Sequence, residues 1–483
     1  MTVMKKVLSF QETGTSSKDL VERLETFRSD DARWREGKTF GFVYHPGDSL
    51  AAIAEVFQDT YRYESTLNPS AFPSLRNFET EIVAMAGEMM HGDRQVAGSI
   101  TTGGTESIFL SLKVARDLAR EKHGREGDFG VILPMSAHPA FLKACHYLGL
   151  KVHIIPVRSD GRADVEAMEK SLDENTIMLV ASAPGYPCGV VDPVEEMGEM
   201  ALRRDLLLHV DACMGGFMLP FLEDLGHPVP PFDFRVKGVS SISLDAHKYG
   251  YAPKGVSILL HRRRENRRKQ FFIHTDWPGG IFASTTFMGT KSGGAIAGCW
   301  AIMKHLGREG YRDLAARVMD CAQSICKGIE ELDGIRLVAE PAMSVLAFTS
   351  EHGNTYNIGD ALAKKGWYLD RLQFPEALHL TVTHLNIGRE GEFLQDLEEI
   401  LAAEQSLLRA GESSRSVVRW AGVFSSLLPA SLLDRAARYA GSVTGKGKNS
   451  GNTGAALYGI SATFSNRDSV HRMVENLLDG MYE

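Results

Sequence analysis

The stretch LLLHVDACMGG, residues 206–216, decides the fold. Its first part is a short, largely apolar run of the kind that forms a buried strand, and a carboxylate, Asp211, follows at once. Similar runs recur along the chain with helical patterns between them. Apolar strands that alternate with helices predict an α/β fold, with a mostly parallel central sheet and helices on both faces. The other runs are residues 96–100, 129–133, 151–157, 176–182, 239–243 and 256–260.

Composition is that of a soluble globular protein. The chain has 483 residues, 43% of them hydrophobic and 24% charged, which excludes wholesale disorder. A net charge of −8, from 53 Lys and Arg against 61 Asp and Glu, argues against general nucleic-acid binding. The six cysteines form no C-x-x-C pair, so we expect neither a metal site nor a disulfide framework. No apolar run reaches the roughly 18 residues that span a bilayer, and no signal peptide is evident, so we expect a cytoplasmic protein.

The pattern of predicted strands and helices changes twice along the chain. We predict an N-terminal arm and dimerisation segment over 1–90, a large α/β domain over 91–335 and a small α+β domain over 336–483. In the arm, apolar residues at spacings of three and four predict a helix from Pro73. In the small domain, the glycine-rich residues 441–459 predict a mobile loop. Strands are expected there at 345–348, 367–369 and 378–382, and helices at 357–365, 390–410 and 468–478.

Ligands of parallel α/β sheets bind beyond the carboxyl ends of the strands, so functional residues are expected there. The stretch TTGGTES, residues 101–107, follows the first apolar run and leads into a helix. Its glycines let the backbone approach an anion, and the helix start offers unpaired N–H groups at the positive end of the helix dipole. This stretch is either a phosphate cup or a plain glycine turn with a threonine N-cap, and the motif alone leaves both open.

Two further side chains follow strand ends. Asp211 needs a cation there, such as a protonated ring nitrogen, or else serves as a helix cap or salt-bridge partner. Lys248, after residues 239–243, is either a surface lysine or a nucleophile whose pKa is lowered by desolvation. Together, the anion cup, the acid and the lysine match the phosphate, the pyridine nitrogen and the aldehyde of pyridoxal 5′-phosphate (PLP).

Six longer motifs are shared with one enzyme family. They are TGGTES (102–107), SAH (136–138), GVVDP (189–193), HVDACMGGF (209–217), DAHKYGYAPKG (245–255) and TDWPGGIFAS (275–284). On these residues the chain closely resembles the sphingosine-1-phosphate lyase family, in the group II decarboxylase branch of the fold-type I PLP enzymes. The resemblance covers about residues 40–480 and implies the fold-type I architecture.

The resemblance implies an aldehyde-lyase that cleaves the Cα–Cβ bond of a phosphorylated sphingoid base by retro-aldol chemistry, with sphingosine or dihydrosphingosine 1-phosphate as substrate. It implies that Lys248 forms the Schiff base with PLP, that Asp211 holds the pyridinium proton and that His138 stacks on the ring. Five residues would bind the cofactor phosphate, the last two of them reaching the site of the other subunit in a homodimer: Gly104, Thr105, His247, Gly289 and Thr290.

The resemblance also implies a substrate site. Lys254 would bind the substrate phosphate, although a plain turn cation is its alternative. Tyr44 and Tyr458 would line the site, and Tyr458 in the glycine-rich loop would gate it or transfer a proton, unless it only packs. Ser65 and Asn68 stand where the family carries an Asn and a His that serve the substrate phosphate across the dimer. Because that histidine cation is lost, a PLP-dependent amino-acid decarboxylase on the same scaffold stays open as the alternative.

Two remaining features, a basic run and a cysteine, each have a structural and a functional interpretation. Residues 261–269 hold six Lys or Arg residues, and we favour a solvated helix on the rim over weak contact with an anionic lipid surface. Cys213, two residues after Asp211, is expected to be a small buried residue and not a nucleophile.

Overall fold

A seven-stranded sheet forms the centre of the computed structural model, which describes residues 10, 12–68, 70–124, 127–351, 355–409 and 467–482. Its strands are β1 (Ala97–Thr101), β2 (Gly130–Pro134), β3 (Lys151–Ile155), β4 (Thr176–Ser182), β5 (Leu207–Asp211), β6 (Val239–Leu244) and β7 (Ser257–His261). They lie in the order β1-β7-β6-β5-β4-β2-β3, and β7 runs antiparallel to both of its neighbours. The other neighbouring pairs are parallel, which confirms the predicted sheet.

Helices cover both faces of this sheet. Because side chains alternate along a strand, Val131 and Leu133 face one apolar core, and Ile132 between them faces the other. The described helices from the N-terminus to residue 331 are α1 (Ser17–Phe27), α2 (Asp48–Thr60), α3 (Pro73–Met89), α4 (Gly104–His123), α5 (Ala140–Leu148), α6 (Val165–Lys170), α7 (Val194–Arg204), α8 (Leu219–Asp224), α9 (Arg264–Arg268) and α10 (Gly293–Glu331). Helices α4 and α5 complete the first core, while α3, α7, α8 and α10 complete the second.

A four-stranded antiparallel sheet follows the large one. Its strands are β10 (Ile335–Leu337), β11 (Val345–Ser350), β12 (Asp370–Gln373) and β13 (Glu376–Thr381), in the order β10-β11-β13-β12. Before it, β8 (Phe272–His274) and β9 (Phe282–Ser284) form a separate antiparallel pair. Among the described residues after 351, the helices are α11 (Thr355–Lys364), α12 (Glu390–Arg409) and α13 (Arg467–Tyr482).

The N-terminal segment contributes to the core of the smaller sheet. Phe40 is 2% exposed and packs against Trp367 and Phe393, with ring centroids 5.7 and 5.1 Å away. The Asn386 side chain donates hydrogen bonds to the carbonyl oxygens of residues 37 and 39, at 3.0 and 3.1 Å. Residues 37–40 are therefore fixed to the small sheet, although the sequence places them in the N-terminal arm.

The sequence locates most elements but misplaces one strand. The predicted strand at 367–369 is wrong, because Tyr368 forms an isolated bridge with Thr39 and β12 begins only at Asp370. The pairs β8–β9 and the short β10 were not predicted. The helix that begins at Pro73 is confirmed. The domain boundaries at 90 and 335 stay a prediction, and the loop at 441–459 lies outside the described residues. Among the described residues, no helix is long and apolar enough to cross a membrane.

Candidate active site

A cavity of about 610 Å³ lies at the carboxyl ends of the central strands. Its wall combines the end of β5, the loop between β6 and β7, the start of α4 and the N-terminal segment, and Asp370 and Thr381 of the small sheet complete it. Of the thirteen residues predicted for the site, eight line this cavity: Tyr44, Gly104, Thr105, His138, Asp211, His247, Lys248 and Lys254.

Lys248 is paired with a carboxylate that the sequence analysis did not single out. Its Nζ lies 3.0 Å from Oδ2 of Asp245, which is 4% exposed. Burial by itself lowers the pKa of Lys248, but the charge of Asp245 outweighs it and raises that pKa above its usual value. The expectation that desolvation lowers the pKa of this lysine is therefore wrong for the protein without cofactor. Asp245 directly follows β6, and Asp211 is the last residue of β5, so the strand-end rule also points to Asp245.

Asp211 is held by hydrogen bonds on one oxygen and is open on the other. Its Oδ1 accepts hydrogen bonds from the Cys213 N–H at 3.0 Å and from the Ser243 hydroxyl at 3.3 Å. No hydrogen bond within the described ranges uses Oδ2, although the side chain lines the cavity. Behind it, His209 contacts Ser243 Oγ at 3.2 Å, and complete burial lowers the pKa of His209 to about 4. A backbone N–H and one hydroxyl, itself in contact with a neutral histidine, thus fix one oxygen of a carboxylate that lines the cavity.

The start of α4 forms a cup that a side chain would fill. A Cβ on Gly104 would lie 2.8 Å from Cys213 Sγ and 3.0 Å from both carboxylate oxygens of Asp245, so only glycine allows this approach. His247 lies beside the cup, and its Nδ1 donates to the Val256 carbonyl oxygen at 2.7 Å. Burial lowers the pKa of His247, although Asp245 partly opposes this effect. First-turn N–H groups, a histidine and room for an anion fit a phosphate group.

His138 is exposed beside the cavity, in the loop between β2 and α5. The Ala140 N–H donates to its Nδ1 at 3.1 Å, which orients the ring. An aromatic ring fixed in this way offers an uncovered face against which a flat cofactor could lie.

Lys254 and Tyr44 lie together on the cavity wall. The Lys254 ammonium is 5.2 Å from the centre of the Tyr44 ring, a cation–π contact, and Nζ donates to the His247 carbonyl oxygen at 3.4 Å. In the part of the chain that the structure describes, no carboxylate lies within salt-bridge distance of Lys254. Burial and the nearby Lys248 lower the pKa of Lys254, while burial and Asp245 raise that of Tyr44, which keeps its proton at neutral pH.

The remaining predicted residues lie elsewhere. Ser65 and Asn68 do not line the cavity, and neither do Gly289 and Thr290, which are exposed. The two segments are neighbours, because Ser65 forms a β-bridge with Ser292. Tyr458 lies outside the residues that the structure describes.

The sequence analysis missed a hydrogen-bonded tyrosine and aspartate on the cavity wall. The Tyr186 hydroxyl donates to Oδ2 of Asp370 at 2.5 Å, and both residues line the cavity. No sequence signal points to them, because Asp370 reaches the site only through the packing of the small sheet.

The basic residues at 261–269 are partly used in the fold. Arg262 donates hydrogen bonds to the carbonyl oxygens of Phe234 and Val236, at 3.0 and 2.7 Å. Arg267 donates to Ser99 Oγ at 3.3 Å. The run is therefore not simply solvated, since two of its arginines bind other elements.

The fold and the cavity define a PLP enzyme of fold-type I, and comparison with known proteins confirms this class. The pyridoxal-dependent decarboxylase conserved domain matches residues 5–351. The sphingosine-1-phosphate lyase of Oryza sativa is 42% identical over 391 residues, which cover 79% of this chain and 72% of that protein. The solved structure of the Burkholderia pseudomallei sphingosine-1-phosphate lyase matches with a TM-score of 0.80 and 36% identity, over 84% of this chain and 96% of that one. A probable L-tyrosine/L-aspartate decarboxylase of Methanothermobacter thermautotrophicus is 37% identical over 71% of this chain and 92% of its own.

The chain belongs to the pyridoxal-dependent decarboxylase family and, within it, to the sphingosine-1-phosphate lyase family. It is a PLP-dependent lyase. The resemblance stated from the motifs is thus confirmed. The cup at Gly104, the uncovered ring of His138 and the open oxygen of Asp211 fit the phosphate, the ring and the ring nitrogen of this cofactor.

Proposed function

We propose that this enzyme cleaves the Cα–Cβ bond of a phosphorylated sphingoid base and releases a long-chain aldehyde and an aminoethyl phosphate. The observation that carries the proposal is Lys254, a cation without a carboxylate partner in the described structure, on the wall of the same cavity as Lys248. A cation left unneutralised there suits a substrate that brings its own anion. The two family relatives named above support the same substrate class by their names.

The protein's residues divide the work around the cofactor. PLP supplies an aldehyde that binds an amine and a ring that accepts the electron pair of the broken bond. Lys248 would hold the aldehyde, and Gly104, Thr105 and His247 would hold the phosphate. Oδ2 of Asp211 would keep a proton on the ring nitrogen, which makes the ring a better electron acceptor.

The substrate head group would meet Lys254 and Tyr44, which lie together beside His247. The ammonium of Lys254 would bind the substrate phosphate, and the neutral hydroxyl of Tyr44 would donate a hydrogen bond beside it. Tyr458 is proposed to transfer a proton or to close the site. A bound phosphate also excludes water from the mouth of the cavity, which strengthens the electrostatic contacts within it.

We also propose a homodimer that shares its active sites. Ser65, Asn68, Gly289 and Thr290 would serve the site of the other subunit, which agrees with their position beside each other and outside their own cavity. Large apolar side chains are exposed around the nearby β8–β9 pair, as expected for a contact surface. The four most exposed are Phe272 (59%), Ile273 (62%), Ile281 (76%) and Phe287 (72%).

Complementation between subunits tests the shared site. Chains with Lys248→Ala and chains with Gly289→Asp should each be inactive alone. Co-expressed at equal levels, they should recover about a quarter of wild-type activity, because half of the random dimers carry one intact site out of two. Absence of any recovery in a demonstrated heterodimer would contradict the sharing.

A cytoplasmic location is likewise proposed. All six cysteines are free and five are buried, which suits a reducing compartment. Cell fractionation with compartment markers tests the location.

The second candidate function is amino-acid decarboxylation. It is favoured by the 37% identity with the Methanothermobacter decarboxylase and by the replacement of the family's histidine at Asn68. It would use the same Lys248, Asp211 and His138 but would break the bond to a carboxylate.

One product assay separates the two functions. The purified holoenzyme is incubated with a phosphorylated sphingoid base, the same base without phosphate, and tyrosine and aspartate, and both aldehyde and carbon dioxide are measured. Aldehyde from the phosphorylated base alone supports the lyase. Carbon dioxide from an amino acid, without aldehyde from either base, would replace the lyase with the decarboxylase.

A further inference from the structure

Asp245 is a further carboxylate on the cavity wall, and the proposed reaction gives it no function. It is 4% exposed, and its Oδ2 lies 3.0 Å from Lys248 Nζ. Its Oδ1 is buried and accepts no hydrogen bond from the described residues. A buried carboxylate oxygen without a partner is costly, so its presence in a cavity wall suggests a partner that arrives with a ligand.

This carboxylate also touches the phosphate cup. Both of its oxygens would lie 3.0 Å from a Cβ on Gly104, and His247 Nε2 is 3.8 Å from Oδ2. A phosphate dianion bound at the start of α4 would therefore meet a second anion in a site of low dielectric constant, which is strongly unfavourable. A neutral carboxylic acid at the same place would instead donate a hydrogen bond to the phosphate.

Lys248 would have to lose a proton, whereas Asp245 would have to gain one. The charge of Asp245 raises its pKa, so its amino group carries an extra proton and has no lone pair for attack on an aldehyde. The structure thus places a lysine that must lose a proton 3.0 Å from a carboxylate that must gain one.

We propose that Asp245 takes the proton of Lys248 when the cofactor binds, and that it then serves the phosphate cup as a neutral acid. An N–H bond of Lys248 breaks and an O–H bond forms on Oδ2, so an ion pair becomes a neutral amine beside a neutral acid, with no net change of charge. Lys248 would then offer a neutral amine to the cofactor aldehyde, and their condensation would release only water. Asp245 is in this way a further functional residue of the site, and the proposal rests on Lys248 as the cofactor's lysine.

Burial alone raises the pKa of Asp245, but the charges of Lys248 and His247 outweigh burial and lower that pKa in the protein without cofactor. The bound phosphate dianion would therefore supply the change that drives the transfer. Burial raises the pKa of Cys213 and of Tyr44, so both remain neutral. Asp211 is already hydrogen-bonded on its own oxygen. The titratable groups that interact with Asp245 from the packed elements are His247, Lys248, Lys254, Cys213 and Tyr44.

Infrared difference spectroscopy tests the transfer in the wild-type protein. Apoenzyme is loaded with PLP, and we expect the carbonyl band of a protonated carboxylic acid to appear and to shift in heavy water. The band should be absent in Asp245→Asn and unchanged in Asp370→Asn, a matched loss of another carboxylate from the same cavity. No such band on loading, or a band that persists in Asp245→Asn, would overturn the proposal.

Chemical labelling gives a second measurement that does not depend on turnover. In the Asp245→Asn apoenzyme, Lys248 should react with an amine reagent at neutral pH about tenfold faster or more, since each unit of lowered pKa gives about ten times more free amine. PLP affinity should stay within about threefold of wild type, because an amide is also neutral and donates a hydrogen bond.

A loss of PLP affinity of about a hundredfold or more in Asp245→Asn would mean that the negative charge itself is required, and would refute the proposal. Neither measurement uses a substrate. If the enzyme releases no aldehyde from a phosphorylated base while the band and the labelling behave as expected, the proposed reaction fails and the role of Asp245 stands.

Discussion

The methyl group that Gly104→Ala adds has no space in this structure. The new Cβ would lie 2.8 Å from Cys213 Sγ and 3.0 Å from both oxygens of Asp245. Carbon contacts are optimal at about 3.5–4.0 Å, so these atoms must retreat by roughly 0.5–1 Å. They cannot turn out to solvent, because Cys213 is 7% and Asp245 4% exposed. Overpacking of this kind costs about 1–3 kcal/mol.

That cost falls on the cofactor site. The displaced carboxylate is the partner of Lys248, and the methyl group stands in the phosphate cup. We therefore expect PLP to bind about five- to hundredfold more weakly to Gly104→Ala than to wild type, by conversion of the same 1–3 kcal/mol at about 1.4 kcal/mol per factor of ten. Apoenzyme is titrated with PLP and the bound cofactor is followed by its visible absorbance.

Gly185→Ala is the matched control, since its Cβ meets no atom closer than 3.8 Å and its backbone is not left-handed. Its PLP affinity should stay near that of wild type. Equal affinities, within about twofold, and equal urea midpoints for Gly104→Ala and wild type would refute the packing argument.

Three further outcomes are expected. Asp211→Asn should lower kcat by about a hundred- to thousandfold while the circular dichroism spectrum stays unchanged, because an amide cannot hold the ring proton; a loss below about tenfold would contradict this role. Lys254→Gln should raise KM for a phosphorylated base about ten- to hundredfold with PLP affinity unchanged, since one charge-assisted hydrogen bond of about 1.5–3 kcal/mol is lost; an unchanged KM counts against the phosphate site. Stability should fall as pH drops from 6.5 toward 4, because burial lowers the pKa of His209, His261 and His379 from 6.5 to about 4 and the unfolded chain binds more protons in that window. By pH 4 each histidine lowers the free energy of unfolding by about 3 kcal/mol. Urea unfolding of His261→Gln across this range should give a plot of unfolding free energy against pH whose slope is smaller by about one proton, and an unchanged slope would refute this reasoning.

Local patterns in the sequence predict the large sheet well. The run at 176–182 coincides with β4, because seven consecutive buried residues leave a strand as the simplest element. The antiparallel direction of β7 is not visible in its sequence, since a buried strand is apolar in either direction. The strand predicted at 367–369 is wrong because the apolar Trp367 belongs to a core with Phe40 and not to a strand. That contact joins residues far apart in the chain, so a local pattern does not reveal it.

Site residues are predictable where the rule that ligands bind at the carboxyl ends of parallel strands applies to them directly. Asp211 and Lys248 follow strand ends and line the cavity, and Asp245 obeys the same rule. The direction of the pKa shift of Lys248 was not predictable, because it depends on a 3.0 Å distance that only the folded loop sets. Asp370 belongs to another sheet, and no local signal connects it with the cavity.

The attachment of residues 37–40 to the small sheet has a mechanical consequence. Tyr44 lies four residues after Phe40, so any rotation of the small sheet pulls this tyrosine along with Asp370. The N-terminal segment and the small sheet therefore form one continuous part of the cavity wall. A head group bound between Tyr44 and Lys254 would resist that rotation, so we expect an occupied site to restrict movement of the small sheet.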